Sequence, residues 1–342
     1  MLSDETGFAG VVGQKHVIES LNRILRSGKV THAYVFSGPS GIGKRTAAYA
    51  FAGALLCENP GENGSCGSCR TCMLISGDGC LDLSEIKGEG KSIGIDEIRD
   101  MQSELLKRPL YSARKVCIIC SGEKLTAEAQ NCLLKTLENP PEYAVIIITT
   151  ANYDALLPTI KSRTVRFNFS RNTREEVERI IAKELGRDSA NGAKNSIPDI
   201  KFLAAYADGV AGLALRLVKS EYILEAREAL FDMVVNLRKE RIGSIIEYYH
   251  LFEENKDEIN DMLQILRLIY RDFLNMSVGV PENRLINTDK KDIILNNAAK
   301  FTASEMLENI EIIDIAEREL KANANFETVI KVMLMKLMEE KY

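Results

Sequence analysis

The sequence predicts an α/β phosphate-loop domain built on a five-stranded parallel sheet, with helices making up the rest of the chain. Three observations lead there. Strand-like apolar runs alternate with helical patterns over residues 1–169, as in a parallel sheet wrapped on both faces. Between the first strand and the next helix stands Gly38-Pro39-Ser40-Gly41-Ile42-Gly43-Lys44, the context in which a G-x-x-x-x-G-K stretch cradles phosphate. After Phe169 the strand signals vanish, and apolar residues recur only at helical spacing.

Val11-Val12-Gly13-Gln14 opens a helix to about residue 27, with Val17, Leu21, Ile24 and Leu25 on one face. The strand 33–37, the loop, a helix to residue 56 and a cysteine-rich insertion at 57–72 follow. A short strand at 83–86 precedes an amphipathic helix at 95–106, carrying Ile95, Ile98, Gln102 and Leu105. Residues 115–120 are apolar without a break, which marks a central strand buried on both faces. Thr126 is the N-cap of a helix over 126–137, and Pro140-Pro141 prevents its continuation. Residues 144–149 make the fourth strand, and 164–169, alternating with period two, the fifth. Helices are then expected at 173–185, 197–206, 212–219, 220–239, 242–254, 258–276, 303–321 and 327–341, with a long loop at 277–292. The stripe Val329, Val332, Met333, Leu334 and Leu337 reads as packing between helices.

In the loop, Gly38, Gly41 and Gly43 let backbone N–H groups converge on an anion, while the helix N-terminus and Lys44 add positive charge. The hydroxyl that should follow the lysine and hold Mg²⁺ is replaced by Arg45. Thr46 comes one residue late, about 100° further round the helix. The loop keeps its shape without its metal ligand. Two readings of Lys44 stand: residual ADP or ATP binding on Gly38, Gly41, Gly43, Lys44 and Thr46 without turnover, or a lysine that satisfies backbone carbonyls in an empty loop.

At 342 residues and a net charge of −5, the chain has room for two or three domains and is no general polyanion binder. Residues 1–10 lack the apolar core of a secretory signal, and no apolar run is long enough to span a bilayer, so a cytoplasmic protein is expected. Cys57, Cys66, Cys69 and Cys72 fall as C-x₈-C-x₂-C-x₂-C about a turn-rich segment, a spacing that suits a closed tetrahedral Zn²⁺ site. The alternative is a set of reduced, unligated thiols, and Cys80 is the one substitute ligand. Cys117, Cys120 and Cys132 lie in apolar patterns and read as core.

Taken in order, several motifs resemble bacterial clamp-loader subunits of the AAA+ ATPase superfamily. They are Val12-Gly13-Gln14, His32-Ala33-Tyr34, the loop at Gly38, the four cysteines, the run from Glu128 to Glu138, Leu157-Pro158-Thr159-Ile160 and Ser162-Arg163-Thr164. The resemblance covers the whole chain. It implies a nucleotide-binding domain at 1–169 with the zinc insertion at 57–72, a helical lid at 170–219 and an all-α collar at 220–342.

The resembling family contains motor subunits that hydrolyse ATP and a companion, delta-prime, that usually does not. A working site needs an acidic pair at the tip of the third strand. Here those positions hold Cys120 and Ser121, with Glu123 two residues beyond. Gly212 stands where motor subunits carry a lid arginine, and Arg216 is four residues on. Thr150 takes the place of the family's phosphate-sensing residue. Ser162-Arg163-Thr164 matches the family's Ser-Arg-Cys motif, which implies an arginine finger, Arg163, projecting onto a neighbour's γ-phosphate; outside that series it would read as an ordinary surface arginine. The resemblance implies a non-hydrolysing subunit assembled with tau/gamma motor subunits and delta, meeting the sliding clamp and primer–template DNA through the complex. The rival expectations are an active motor subunit of the same loader and a stand-alone zinc-containing interaction module.

Overall fold

The structure, a computed structural model, describes residues 7–87, 92–190, 200–218, 220–237, 244–298 and 301–339. It separates into two compact units, residues 1–176 with 209–212, and residues 177–208 with 213–342.

The first unit runs α1 (Lys15–Ser27), β1 (Ala33–Ser37), α2 (Lys44–Leu56), α3 (Arg70–Ser76), β2 (Leu83–Ile86), α4 (Ile95–Leu105), β3 (Lys115–Ile119), α5 (Ala127–Glu138), β4 (Ala144–Thr150), α6 (Pro158–Lys161) and β5 (Val165–Asn168). All pairings are parallel, in the order β2-β3-β4-β1-β5. The sequence predicts this five-stranded parallel sheet. Period two sorts the strand residues between two cores. Tyr34, Phe36, Val116 and Ile118 pack with Phe51 on one face, and Val35, Cys117 and Ile119 with Leu133 on the other. Every residue of β1, β3 and β4 is therefore buried, which explains the apolar runs at their centres; Ser37, Lys115, Thr149 and Thr150 stand at strand ends. Thr126 caps α5 by accepting a hydrogen bond from the backbone N–H of Ala129.

Some details differ from the sequence reading. β5 is an edge strand on which only Phe167 is buried. Cys132 is half-buried, its thiol donating to Gln102 Oε1 at 3.4 Å, so it is not core. A helix that the sequence reading did not assign, α3, begins within the insertion after the turn-rich residues 58–65.

The second unit takes in most of α7 (Arg174–Ala190), then α8 (Ile200–Tyr206), α9 (Ala211–Val218), α10 (Glu221–Asn236), α11 (Ser244–Glu254), α12 (Ile259–Ser277), α13 (Lys291–Ala298), α14 (Ala303–Lys321) and α15 (Phe326–Met338). Residues 197–199, 219, 238–239, 242–243 and 340–341, expected to be helical, lie outside the described residues. Of the α15 stripe, Val329, Met333, Leu334 and Leu337 are buried, but Val332 is 42% exposed. α13 follows the expected loop and was not foreseen.

One buried ion network holds the loop before α13 onto the helices. The Arg227 guanidinium stacks 4.1 Å from the Phe202 ring centroid and donates to Asn287 Oδ1 at 2.9 Å. It also forks onto the Asp289 carboxylate. Asp272, fully buried, accepts from the backbone N–H groups of Ile286 and Asn287. Arg227 is 3% exposed, so Arg227→Ala removes packing and leaves polar partners unpaired. The expected loss is about 3 kcal/mol, read as a lower urea midpoint at unchanged slope. A change under about 0.5 kcal/mol contradicts the network's role.

Candidate functional site

The carboxyl ends of β1, β3 and β4 meet the loop that opens α2, where ligands bind in open α/β sheets. Gly38 has φ +151°, and a Cβ there would lie 2.4 Å from the Phe169 carbonyl oxygen, so no other residue fits. Gly43 is the N-cap of α2. Lys44, 8% exposed, turns back so that Nζ donates to the Gly38 and Pro39 carbonyls, both at 2.6 Å. Burial lowers the Lys44 pKa, while the nearby negative charge of Glu123 works the other way. Thr46 is exposed on the first turn.

Around the position where a metal would stand, three side chains converge. Arg45 forks onto Glu85 of β2, with Nε 2.5 Å from Oε1 and Nη2 2.8 Å from Oε2. The Cys120 thiol donates to the same Oε1 at 3.1 Å. Burial opposes ionisation of Glu85, yet hydrogen bonds from Arg45 and Cys120 outweigh it and hold the carboxyl down to about 2. Burial, then Glu85, pushes the Cys120 thiol up to about 12. Magnesium seeks hard anionic oxygens. A guanidinium and a protonated thiol offer none, so these residues do not fit the metal.

The other residues that the sequence singles out have partners as well. Glu123 Oε2 accepts from the Thr150 hydroxyl at 2.9 Å and the Ala151 N–H at 3.0 Å, which pins that carboxylate to the end of β4. Ser121 takes a left-handed conformation at φ +59° just beyond β3. The Gly212 N–H donates to the Gly41 carbonyl at 2.8 Å. A Cβ at Gly212 would lie 2.8 Å from that same oxygen, so an arginine there requires the loop to move. Arg216 lies 3.7 Å from Asp261 and is 67% exposed.

Arg163 follows α6, well away in sequence from the loop, with its side chain 37% exposed. Its Nη2 lies 2.9 Å from Glu138 Oε1, and Nη1 donates to the Thr159 carbonyl at 3.1 Å. The guanidinium is thus tethered at the chain's own surface by the last residue of α5.

The four cysteines come together. Their sulfurs all lie within 4.8 Å of one another, with the Cys57–Cys69 and Cys66–Cys72 separations both 3.9 Å. A zinc tetrahedron with Zn–S bonds near 2.3 Å has edges of about 3.8 Å, whereas a disulfide needs about 2.05 Å. Backbone N–H groups of Ser68 and Cys69 draw the Cys66 thiol down to about 6, while burial pushes Cys57 and Cys72 up. The set fits zinc. Cys80 is not among the four.

Glu85 and Glu138 were missed by sequence reasoning. Glu85 reads only as a polar residue in a short strand, and its partner Arg45 is 40 positions back. Glu138 reads only as the last residue of the run from Glu128.

The family model for DNA polymerase III, delta subunit, matches residues 13–173, and the one for its C-terminal part matches residues 221–339. The chain belongs to the DNA polymerase III delta-subunit family. It is 29% identical over 330 residues to the DNA polymerase III subunit delta' of Bacillus subtilis, covering 95% of this chain and 96% of that one. With the subunit tau of the same organism it shares 30% over 336 residues, covering 92% of this chain but 58% of tau. With the subunit gamma/tau of Mycobacterium tuberculosis it shares 35% over 164 residues, 47% of this chain and 28% of the relative. This delta-family chain thus spans little more than half of tau and under a third of gamma/tau. A gamma subunit-related protein of Thermotoga maritima aligns over 94% of this chain and 98% of its own, at 20% identity and a TM-score of 0.47. Among the described residues, no helix is long and apolar enough to cross a membrane.

Proposed function

We propose that this chain is a non-hydrolysing, delta-prime-type subunit of a cytoplasmic bacterial clamp loader, which completes a neighbouring motor subunit's ATP site with Arg163. The observation that carries this reading is the tip of β3. Cys120 and Ser121 stand where the metal-binding acids belong, and the nearest carboxylates are tied to Arg45 and Thr150. Hydrolysis needs those acids to hold the metal and to orient the attacking water. Arg163 has no such task in its own subunit.

A guanidinium brought to a neighbour's γ-phosphate neutralises charge that develops in the transition state. Glu138 is half-exposed, so exchanging it for phosphate oxygens costs about 1 kcal/mol or less. In the same reading, Gly38, Gly41, Gly43, Lys44 and Thr46 hold ADP or ATP without turnover. Cys57, Cys66, Cys69 and Cys72 hold a structural Zn²⁺ with no open coordination position, which ties the insertion together. Residues 1–169 act as the nucleotide-binding-like domain, 170–219 as the lid and 220–342 as the collar that joins tau/gamma and delta. The sliding clamp and primed DNA are met through that assembly.

Mixing the purified chain with its own motor and delta subunits tests the assignment. The expected result is a stoichiometric complex whose DNA-stimulated ATP hydrolysis requires this chain. Failure to co-elute on gel filtration overturns it in favour of a stand-alone module.

A further inference from the structure

We propose that the Arg45 guanidinium replaces the divalent cation of this phosphate loop, as a built-in cation clamped by Glu85 between α2 and the β2–β3 edge. Arg45 occupies the sequence position of the metal-binding hydroxyl, and Cys120 that of the first metal-binding acid. Both reach one carboxylate, which Arg45 grips with two parallel hydrogen bonds of 2.5 and 2.8 Å and the Cys120 thiol meets at 3.1 Å. The Glu85 side chain is only 8% exposed, so its carboxylate depends on the cations and donors that reach it: Arg45 and, with Nζ 3.2 Å from Oε2, Lys87. Tyr49, one turn along α2, lies with its ring centroid 5.1 Å from the guanidinium and limits its swing. Planarity and the fixed fork make this an arginine site that lysine cannot reproduce.

Lys87 adds a second cation to the same carboxylate, so Arg45 and Lys87 together leave net positive charge around Glu85. The Arg45–Glu85 pair joins the first turn of α2 to the edge strand β2, and a metal entering the loop would meet positive charge. Restoring the acid alone is therefore insufficient. Cys120→Asp adds a second carboxylate but leaves Arg45 in place, whereas R45T/C120D offers a hydroxyl and two carboxylates.

The inference rests on reading residues 38–46 as a non-hydrolysing phosphate loop, and it is independent of Arg163. Manganese titration of the full-length zinc-loaded chain, followed by the electron paramagnetic resonance of free Mn²⁺, provides the test. Wild type and C120D are expected to take up no Mn²⁺ at the loop, and R45T/C120D to bind one ion at least ~10-fold more tightly than wild type. Wild type binding as tightly as the double variant, or a folded double variant binding none, overturns the proposal. Should R45T/C120D fail to fold, R45T carries the question through its melting temperature. A rise with millimolar Mn²⁺ supports the exchange, and no shift overturns it.

Acid melting gives a second readout. In wild type the depressed Glu85 carboxyl contributes stability that is full above about pH 4.5 and falls away as pH drops toward 2. In R45T that carboxyl loses its two arginine hydrogen bonds and keeps only Lys87 and the Cys120 thiol, so its pKa rises and the variant's deficit against wild type shrinks on going from pH 8 to pH 5. A deficit that is constant across that range counts against the pair. Brisk Mg²⁺-dependent ATP turnover by wild type would instead remove the non-hydrolysing reading itself.

Discussion

Replacing Arg163 with alanine in the assembled loader is expected to slow ATP hydrolysis at the site it completes by ~10³, with assembly and ATP binding unchanged. The size of the effect follows from where the charge is needed. A finger acts on the transition state rather than on bound substrate, so its removal shows in the rate and not in affinity. Folding should hardly notice the change. Arg163 lies at the surface, and its pair with Glu138 is of the exposed kind, contributing about 0–1 kcal/mol. Arg163→Lys keeps the charge but loses the planar fork, and it should recover only part of the rate. Glu138→Gln removes the tether and leaves the finger free, so it should not reduce the rate. Single-turnover hydrolysis in complexes of verified composition measures all three. An unchanged rate with Arg163→Ala incorporated removes the finger assignment.

Removing metal from the cysteine cluster is the second large effect. Purified chain is expected to carry one zinc, bound as firmly as in small zinc modules, where the binding free energy is about 10–16 kcal/mol. The consequence should be local. The buried residues of the two cores that flank the sheet come mainly from the strands and from α1, α2, α4, α5 and α6, with α3 adding only the partly buried Leu74 and Ile75, so the cores survive when residues 57–72 lose their shape. α3 should not, because its N-cap is Cys69 itself. Chelation, or Cys66→Ser, is therefore expected to open the insertion to proteolysis while the far-ultraviolet circular dichroism of the rest persists. A metal-free chain whose insertion resists protease equally well contradicts the zinc assignment.

Much of this was legible in the sequence, for identifiable reasons. β1, β3 and β4 are buried on both faces, so their central residues are consecutive apolar ones, with polar Ser37, Lys115, Thr149 and Thr150 only at strand ends. The cysteine cluster is legible because its ligands are close in sequence and turn residues fill the gap between the first two. What stayed hidden depends on long-range pairing. Nothing near Glu85 announces that Arg45 will lie on it, because only the order β2-β3-β4-β1-β5 brings α2's first turn beside β2. Glu138 and Arg163 meet only once α5 and α6 have packed, 25 residues apart along the chain. Val332 looked apolar enough for the stripe, but helical periodicity does not say how wide a face the neighbouring helices cover. Lys44 is bonded to two loop carbonyls, an arrangement compatible with both of its readings.

The most direct measurement of the central claim is ATP turnover by the purified full-length chain with magnesium, set beside its own motor subunit under the same conditions. A rate indistinguishable from buffer is predicted, because the loop's cation is an arginine and the acids it would need are a thiol and a hydroxyl. Hydrolysis at a rate like the motor's would show that some carboxylate, Glu123 or Glu85, serves a metal there after all.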